Sequence, residues 1–231
     1  MLHASSKIHL PSRGQEGPSR LLLSFLLAVG LEAAIAASIS APVSAQTVSG
    51  PLAPPPGNVP LLTLHARGTQ NYICLPVANR PDATSWVFER PEAALSLPLA
   101  GITSVDVTVH ALLTVPALVS APDPACTEAA DLSHEYCPAW HSTLDQSTVW
   151  GKKVMSETAG SASDCPNNGA IACLLVKAVA NTGARHLSLF GDTTFIQRLN
   201  TRGGAQPKIA CVAGQVEQVP YSADYSFFRA G

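Results

Sequence analysis

Charge is scarce in this chain. Lys, Arg, Asp and Glu supply 13% of its 231 residues, against roughly 25% in an ordinary soluble protein. Fourteen basic residues face sixteen acidic ones, so no basic surplus exists to neutralise phosphates, and nucleic acid is excluded as an expected partner. The catalytic signatures that can be read locally are also missing. No G-x-G-x-x-G or P-loop offers a nucleotide cradle, no G-x-S-x-G builds a nucleophile elbow, and no H-E-x-x-H places two imidazoles on a helix face. No two cysteines stand at C-x-x-C spacing, and no Asn is followed by x-Ser/Thr, so neither a zinc knuckle nor N-linked sugar is expected. No cofactor is expected either.

The chain begins with features of an export signal. Lys7, Arg13 and Arg20 precede the apolar run from Leu21 to Leu31 and an Ala-rich stretch to Ala37. Val43-Ser44-Ala45 then presents small residues at the positions a signal peptidase reads, which predicts a mature start at Gln46. The front segment is long for a signal, which leaves a later initiator or an uncleaved anchor as alternatives. Removing residues 1–45 leaves 14 − 3 = 11 basic and 16 − 2 = 14 acidic residues, a formal charge of −3. No membrane attachment is expected once the signal is gone. The apolar run from Ala93 to Ala121 is broken by Pro98, Asp106, His110 and Pro116, and an ionisable residue in mid-span is costly in lipid.

Gln46 to Pro60 carries Pro51, Pro54, Pro55, Pro56 and Pro60 and reads as an extended linker. From Leu61 to the C-terminus the pattern is that of one β domain. Strands are expected over Leu61–Ala66, Gln70–Leu75, Ser85–Glu89, Ser104–His110, Thr148–Val154, Ile171–Ala178, Thr193–Leu199 and Tyr221–Phe228. Ser104–His110 alternates cleanly, with Val105, Val107 and Val109 on one face and Asp106, Thr108 and His110 on the other. Gly203-Gly204 supplies a sharp turn. Short strands, turn signals between them and no amphipathic helix of useful length predict an all-β fold, either an antiparallel sandwich or a small barrel. All six cysteines (Cys74, Cys126, Cys137, Cys165, Cys173 and Cys211) follow the signal, and in an oxidising compartment they read as disulfides before they read as metal ligands.

Several separated segments carry a further pattern. They are G-T-Q-N-Y-I-C from Gly68, W-V-F-E-R-P-E-A-A-L from Trp86, H-E-Y-C-P-A-W from His134 and D-Q-S-T-V-W-G-K-K from Asp145. The last is a C-terminal block with I-A-C-L-L at Ile171, Q-R-L-N-T at Gln197, Gly203-Gly204, Cys211 and Y-S-A-D-Y at Tyr221. In this order and spacing the chain resembles the secreted bacterial and fungal family known as domain of unknown function 3455, from about Leu61 onward. The resemblance implies a secreted β protein and no particular activity. The chain departs from the family pattern at Cys137 and Gln146, where Gly is usual, at His141, where Glu is usual, and at Cys173, where Trp is usual. Cysteines at two of these positions suggest an added disulfide. Cys74 and Cys211 fall in the most family-like segments and are expected to pair, leaving Cys126–Cys137 and Cys165–Cys173 as local pairs.

Two groups of residues are candidates for function. The stretch from His134 to Asp145 gathers His134, Glu135, Tyr136, Trp140, His141 and Asp145 and reads as a loop, since Pro138 interrupts it. Trp140 is expected to be exposed there, as a flat ring for a cell-wall sugar or a small ligand. The alternative is a metal-dependent or acid–base enzyme built on His134, His141 and Asp145. Against a copper oxygenase stands the predicted first residue, Gln46 in place of His. The second group is Arg198 with Asp224, which reads either as a ligand contact or as a structural pair on neighbouring strands. The expectation is a secreted binding module, with the enzyme as the alternative.

Overall fold

The computed structural model describes residues 50–98, 104–114, 136–161, 163 and 165–231. Eight antiparallel strands follow one another as β1 (Asn58–Val77), β2 (Arg80–Leu97), β3 (Val105–Thr114), β4 (Tyr136–Ser142), β5 (Thr148–Glu157), β6 (Cys173–Thr182), β7 (Thr193–Gly203) and β8 (Val216–Ala230). Each pairs with the next, and β8 returns to β1, so the sheet is a closed barrel and not a sandwich. Closure leaves no sheet edge unpaired. The expected signal peptide, residues 1–45, lies outside the described residues. Among the described residues no helix is long and apolar enough to cross a membrane.

Two of the expected strands, Leu61–Ala66 and Gln70–Leu75, are halves of β1. Gly68 between them is not a turn. A Cβ at that position would overlap the Glu92 carbonyl oxygen and Ala93 of β2, so the glycine allows close backbone approach within a continuous strand. β4 was expected to be a loop and is a strand, paired from Thr108↔Ser142 to Thr114↔Tyr136 with β3. Gly203 and Gly204 have left-handed φ values of 65° and 73°, but they are not the expected sharp turn: β7 runs through Gly203, which pairs with Tyr221, and Gly204 bridges Ala170.

The domain starts earlier than the Pro-rich stretch suggested. β1 begins at Asn58, and Leu52 is fully buried against Cys165, Cys173, Leu175 and Leu199 on the outer wall of β6 and β7. The Gln197 amide donates to the Leu52 carbonyl at 2.8 Å. One apolar side chain among prolines is enough to dock the segment, since burying a Leu stabilises by about 1.5–3 kcal/mol.

Inside the barrel, one half is filled. Leu64, Leu95, Val149, Ile196 and Phe227 pack there, and Phe190 from the β6–β7 connection packs on Phe227 with ring centres 4.7 Å apart and planes tilted by 38°. The opposite end is crossed by the β7–β8 connection. It is held by the Trp86 indole donating to the Ile209 carbonyl at 3.0 Å, by Thr84 donating to the Cys211 carbonyl at 2.6 Å, and by the Cys74–Cys211 disulfide. Cys165 pairs with Cys173. Cys137 is also disulfide-bonded, and Cys126, its expected partner, lies outside the described residues.

Candidate functional site

The strap over that end does not fill the space beneath it. A cavity of about 440 Å³ occupies this half of the barrel, within the range of roughly 300–1,000 Å³ usual for small-molecule sites. Every strand contributes to its wall: Gln70 and Tyr72 from β1, Phe88 from β2, His110 and Leu112 from β3, Pro138 and Trp140 from β4. Gly151, Leu174, Val176, Arg198 and Tyr225 complete the ring from β5 to β8.

Its centre is an aromatic cluster. The His110 and Trp140 rings stack with centres 4.4 Å apart and planes within 4° of parallel, and Tyr225 meets both edge-on at 5.3 and 5.5 Å. The stack needs Gly151. A Cβ there would overlap Val176 and stand 3.2 Å from the Trp140 ring. Burial drives the His110 pKa down to about 3, the hydrogen bond to the Ala139 carbonyl opposes that fall, and the positive charge of Arg198 reinforces it. The ring is therefore neutral at physiological pH. Because a carbonyl can only accept, the 2.8 Å contact assigns the proton to Nδ1 and leaves Nε2 as a lone-pair acceptor. Trp140 is 1% exposed, and its indole N–H has no hydrogen-bond partner. An unsatisfied buried donor costs about 1–3 kcal/mol and asks for an explanation.

Arg198 supplies the charge. Its Nε and Nη2 donate to the Ala172 carbonyl at 3.1 and 2.8 Å, which fixes the guanidinium plane. Among the described residues no carboxylate lies within ion-pair distance of it. Burial raises the Tyr72 pKa, with Arg198 opposing. Burial and the neighbouring Tyr225 push the Tyr221 hydroxyl well above its ordinary range. Both phenols stay protonated, and Tyr72 donates to the Gly204 carbonyl at 2.7 Å.

The structure divides the residues singled out from sequence. Trp140 and Arg198 both line the cavity, and His141, Asp145 and Asp224 do not. Trp140 is not an exposed loop ring: it lies on β4 facing inward, because the strand alternates and its neighbour His141 faces out. His141 Nδ1 lies 2.8 Å from the Thr148 hydroxyl. Asp145 sits in the β4–β5 turn. Its Oδ1 accepts from the Ser147 hydroxyl at 2.7 Å and the Ser147 amide at 3.0 Å, while Oδ2 accepts from the Leu189 amide. Burial raises the Asp145 pKa, but these hydrogen bonds outweigh it and hold the carboxyl at about 2. His134 lies outside the described residues, and among the described residues no group of three His, Cys, Asp or Glu is placed to hold a metal.

Arg198 and Asp224 are not a pair. In the register Arg198 opposes Tyr225 and Leu199 opposes Asp224, so the arginine points inward and the aspartate outward. Asp224 instead bonds His65 on β1 and accepts from the Asn200 amide at 2.7 Å. The residues that sequence reasoning missed are His110 and Gln70. The signal for His110 was the polar edge of β3. Val105 and Val109 on its other edge are nearly half exposed, at 46% and 45%, while His110 is 2% exposed.

Fold and cavity together define the class: a closed eight-stranded antiparallel barrel with a largely apolar internal chamber that carries a few polar groups. The chain belongs to the family described as Protein of unknown function (DUF3455), whose pattern matches residues 55–229. No curated protein and no solved structure matches it.

Proposed function

We propose that this chain is an exported binding protein that holds a small organic ligand inside its barrel. One observation carries the reading. The barrel is tightly filled on one side, yet on the other it keeps a chamber of about 440 Å³ whose wall includes Trp140, with its unpartnered indole N–H, and Arg198, which among the described residues has no carboxylate within ion-pair distance. A barrel selected for stability alone would fill that space, since voids and unsatisfied donors each cost free energy. Export is supported by the Val43-Ser44-Ala45 cleavage pattern and by the Cys74–Cys211 and Cys165–Cys173 disulfides, which suit an oxidising compartment. A small ligand is favoured over cell-wall carbohydrate because the ring expected to form an exposed sugar platform, Trp140, is an inner wall of the chamber.

The test is a titration of the purified mature protein with the uncharged fluorophore N-phenylnaphthylamine. One saturable site is expected, with quenching of tryptophan emission. Leu174→Trp, which fills the chamber from β6, should abolish it while the protein remains folded. Absence of saturable binding to the wild type, or undiminished binding to the filled variant, would sink the proposal.

A further inference from the structure

We infer that the chamber's ligand is an organic monoanion, a flat or hydrocarbon body ending in one carboxylate, with the acid on Arg198 and the body against Trp140. The inference rests on the reading of the cavity as a ligand chamber and adds the chemistry of its occupant. Arg198 is the starting point. A guanidinium stays charged at any physiological pH, and turning one toward a cavity without a counter-charge is unfavourable unless something anionic completes it. Both donors given to Ala172 lie on one edge of the plane. Nη1 is left over, which with the free proton of Nη2 makes the fork that matches a carboxylate.

The rest of the wall limits the ligand further. Among the described lining residues Glu89 is the one carboxylate, and Arg90 Nη1 holds it at 2.9 Å. Lys152 and Lys153 also line the cavity but have interactions of their own, so the argument does not use them. Arg198 is the one guanidinium among the described lining residues, and its single planar fork suits one carboxylate. His110 offers only a lone pair at Nε2, which repels a carboxylate and directs the acid toward Arg198. Phe88, Leu112 and Val176 give the remaining wall an apolar surface.

The experiment compares two competitors that share a ring system and differ in charge. Naphthoic acid and naphthylmethanol are each used to displace bound N-phenylnaphthylamine from the wild-type protein. The acid should compete about tenfold or more better than the alcohol, as expected for a charge-assisted bidentate contact. With the affinity of N-phenylnaphthylamine measured afresh for each variant, this advantage should collapse to within about twofold in Arg198→Gln, and part of it should remain in Arg198→Lys. Equal competition by acid and alcohol on the wild type would overturn the inference and leave the chamber reading standing. An acid advantage that survives in a folded Arg198→Gln protein would also overturn it. Failure of the neutral fluorophore to bind the wild type removes the chamber reading, and the inference with it. The wild-type comparison is decisive even if the variant does not fold.

Discussion

Acidification should weaken this barrel chiefly through His110. The ring is 2% exposed, and burial holds its pKa at about 3, well below the ordinary 6.5. The unfolded chain takes up a proton near pH 6.5 and the native state does not. The stabilising contribution is therefore complete above pH 6.5, declines as pH falls, and is gone near pH 3. Each pH unit in that window is worth about 1.36 kcal/mol, so two units, from 6.5 to 4.5, remove about 2.7 kcal/mol. For a domain of this size that corresponds to a drop of roughly 5–11 °C in Tm. Stopping at about pH 4.5 keeps the carboxylates largely ionised and leaves His110 as the main source of the change. The assay is thermal melting by circular dichroism at about pH 7 and pH 4.5 for the wild type and for His110→Phe, which keeps a ring on Trp140 and removes the titrating nitrogen. The variant should lose most of the pH dependence. If it falls as far as the wild type between the two pH values, His110 is not the neutral buried base described here and the assignment of its lone pair is wrong.

Three other outcomes are expected. Gly151→Ala forces a methyl into Val176 and toward the Trp140 ring and should destabilise by about 1–3 kcal/mol, read as a shift of the denaturation midpoint; no shift would mean the chamber wall is loose. Asp145→Asn weakens the acceptor of the Ser147 and Leu189 hydrogen bonds and should cost about 1–2 kcal/mol near neutral pH. The difference between wild type and variant should narrow as pH falls through the native pKa of about 2, and a constant difference down to that pH would refute the charged role. Replacing Cys74 and Cys211 together by Ala opens a loop of 137 residues in sequence separation and should lower stability by about 4–5 kcal/mol in the chain-entropy view; an unchanged urea midpoint would show that the strap is held by its hydrogen bonds alone.

Much of the architecture was legible because strand grammar is local. The β-branched runs of β5, β6, β7 and β8 stand almost where the sequence placed them, and their Gly and Asn punctuation marked the turns. What escaped depends on partners far away in the chain. A period of two separates the faces of a strand without saying which one the neighbouring strands enclose. The valine edge of β3 is the natural candidate for the interior, yet closure against Ala93 and Trp140 turns His110 inward. β4 was hidden by Pro138 and by a dense group of polar side chains, and it exists because β3 and β5 flank it. The same limitation misassigned Trp140, which is the right residue for the site and was placed on the wrong side of the wall. Arg198 and Asp224 were correctly located on adjacent strands, but adjacency could not reveal the one-residue offset that sends them to opposite faces. Gln146 shows a related case: it holds a left-handed φ of 60° between β4 and β5, a conformation that favours glycine and that a glutamine side chain does not announce.

The seam between β1 and β8 ties the order of synthesis to the shape of the product. It runs from Asn58↔Ala230 to Ile73↔Val216, and the Gly231 amide donates to the Gly57 carbonyl at 2.8 Å. A chain emerging from the ribosome makes β1 first and β8 last among the strands. Until β8 arrives, one flank of a 20-residue strand has its peptide groups open to any passing β segment, a recognised route to aggregation. Protection of that flank thus belongs to the finished chain alone, and a chain stopped short of β8 inherits two bare edges, on β1 and on β7, in place of one closed wall.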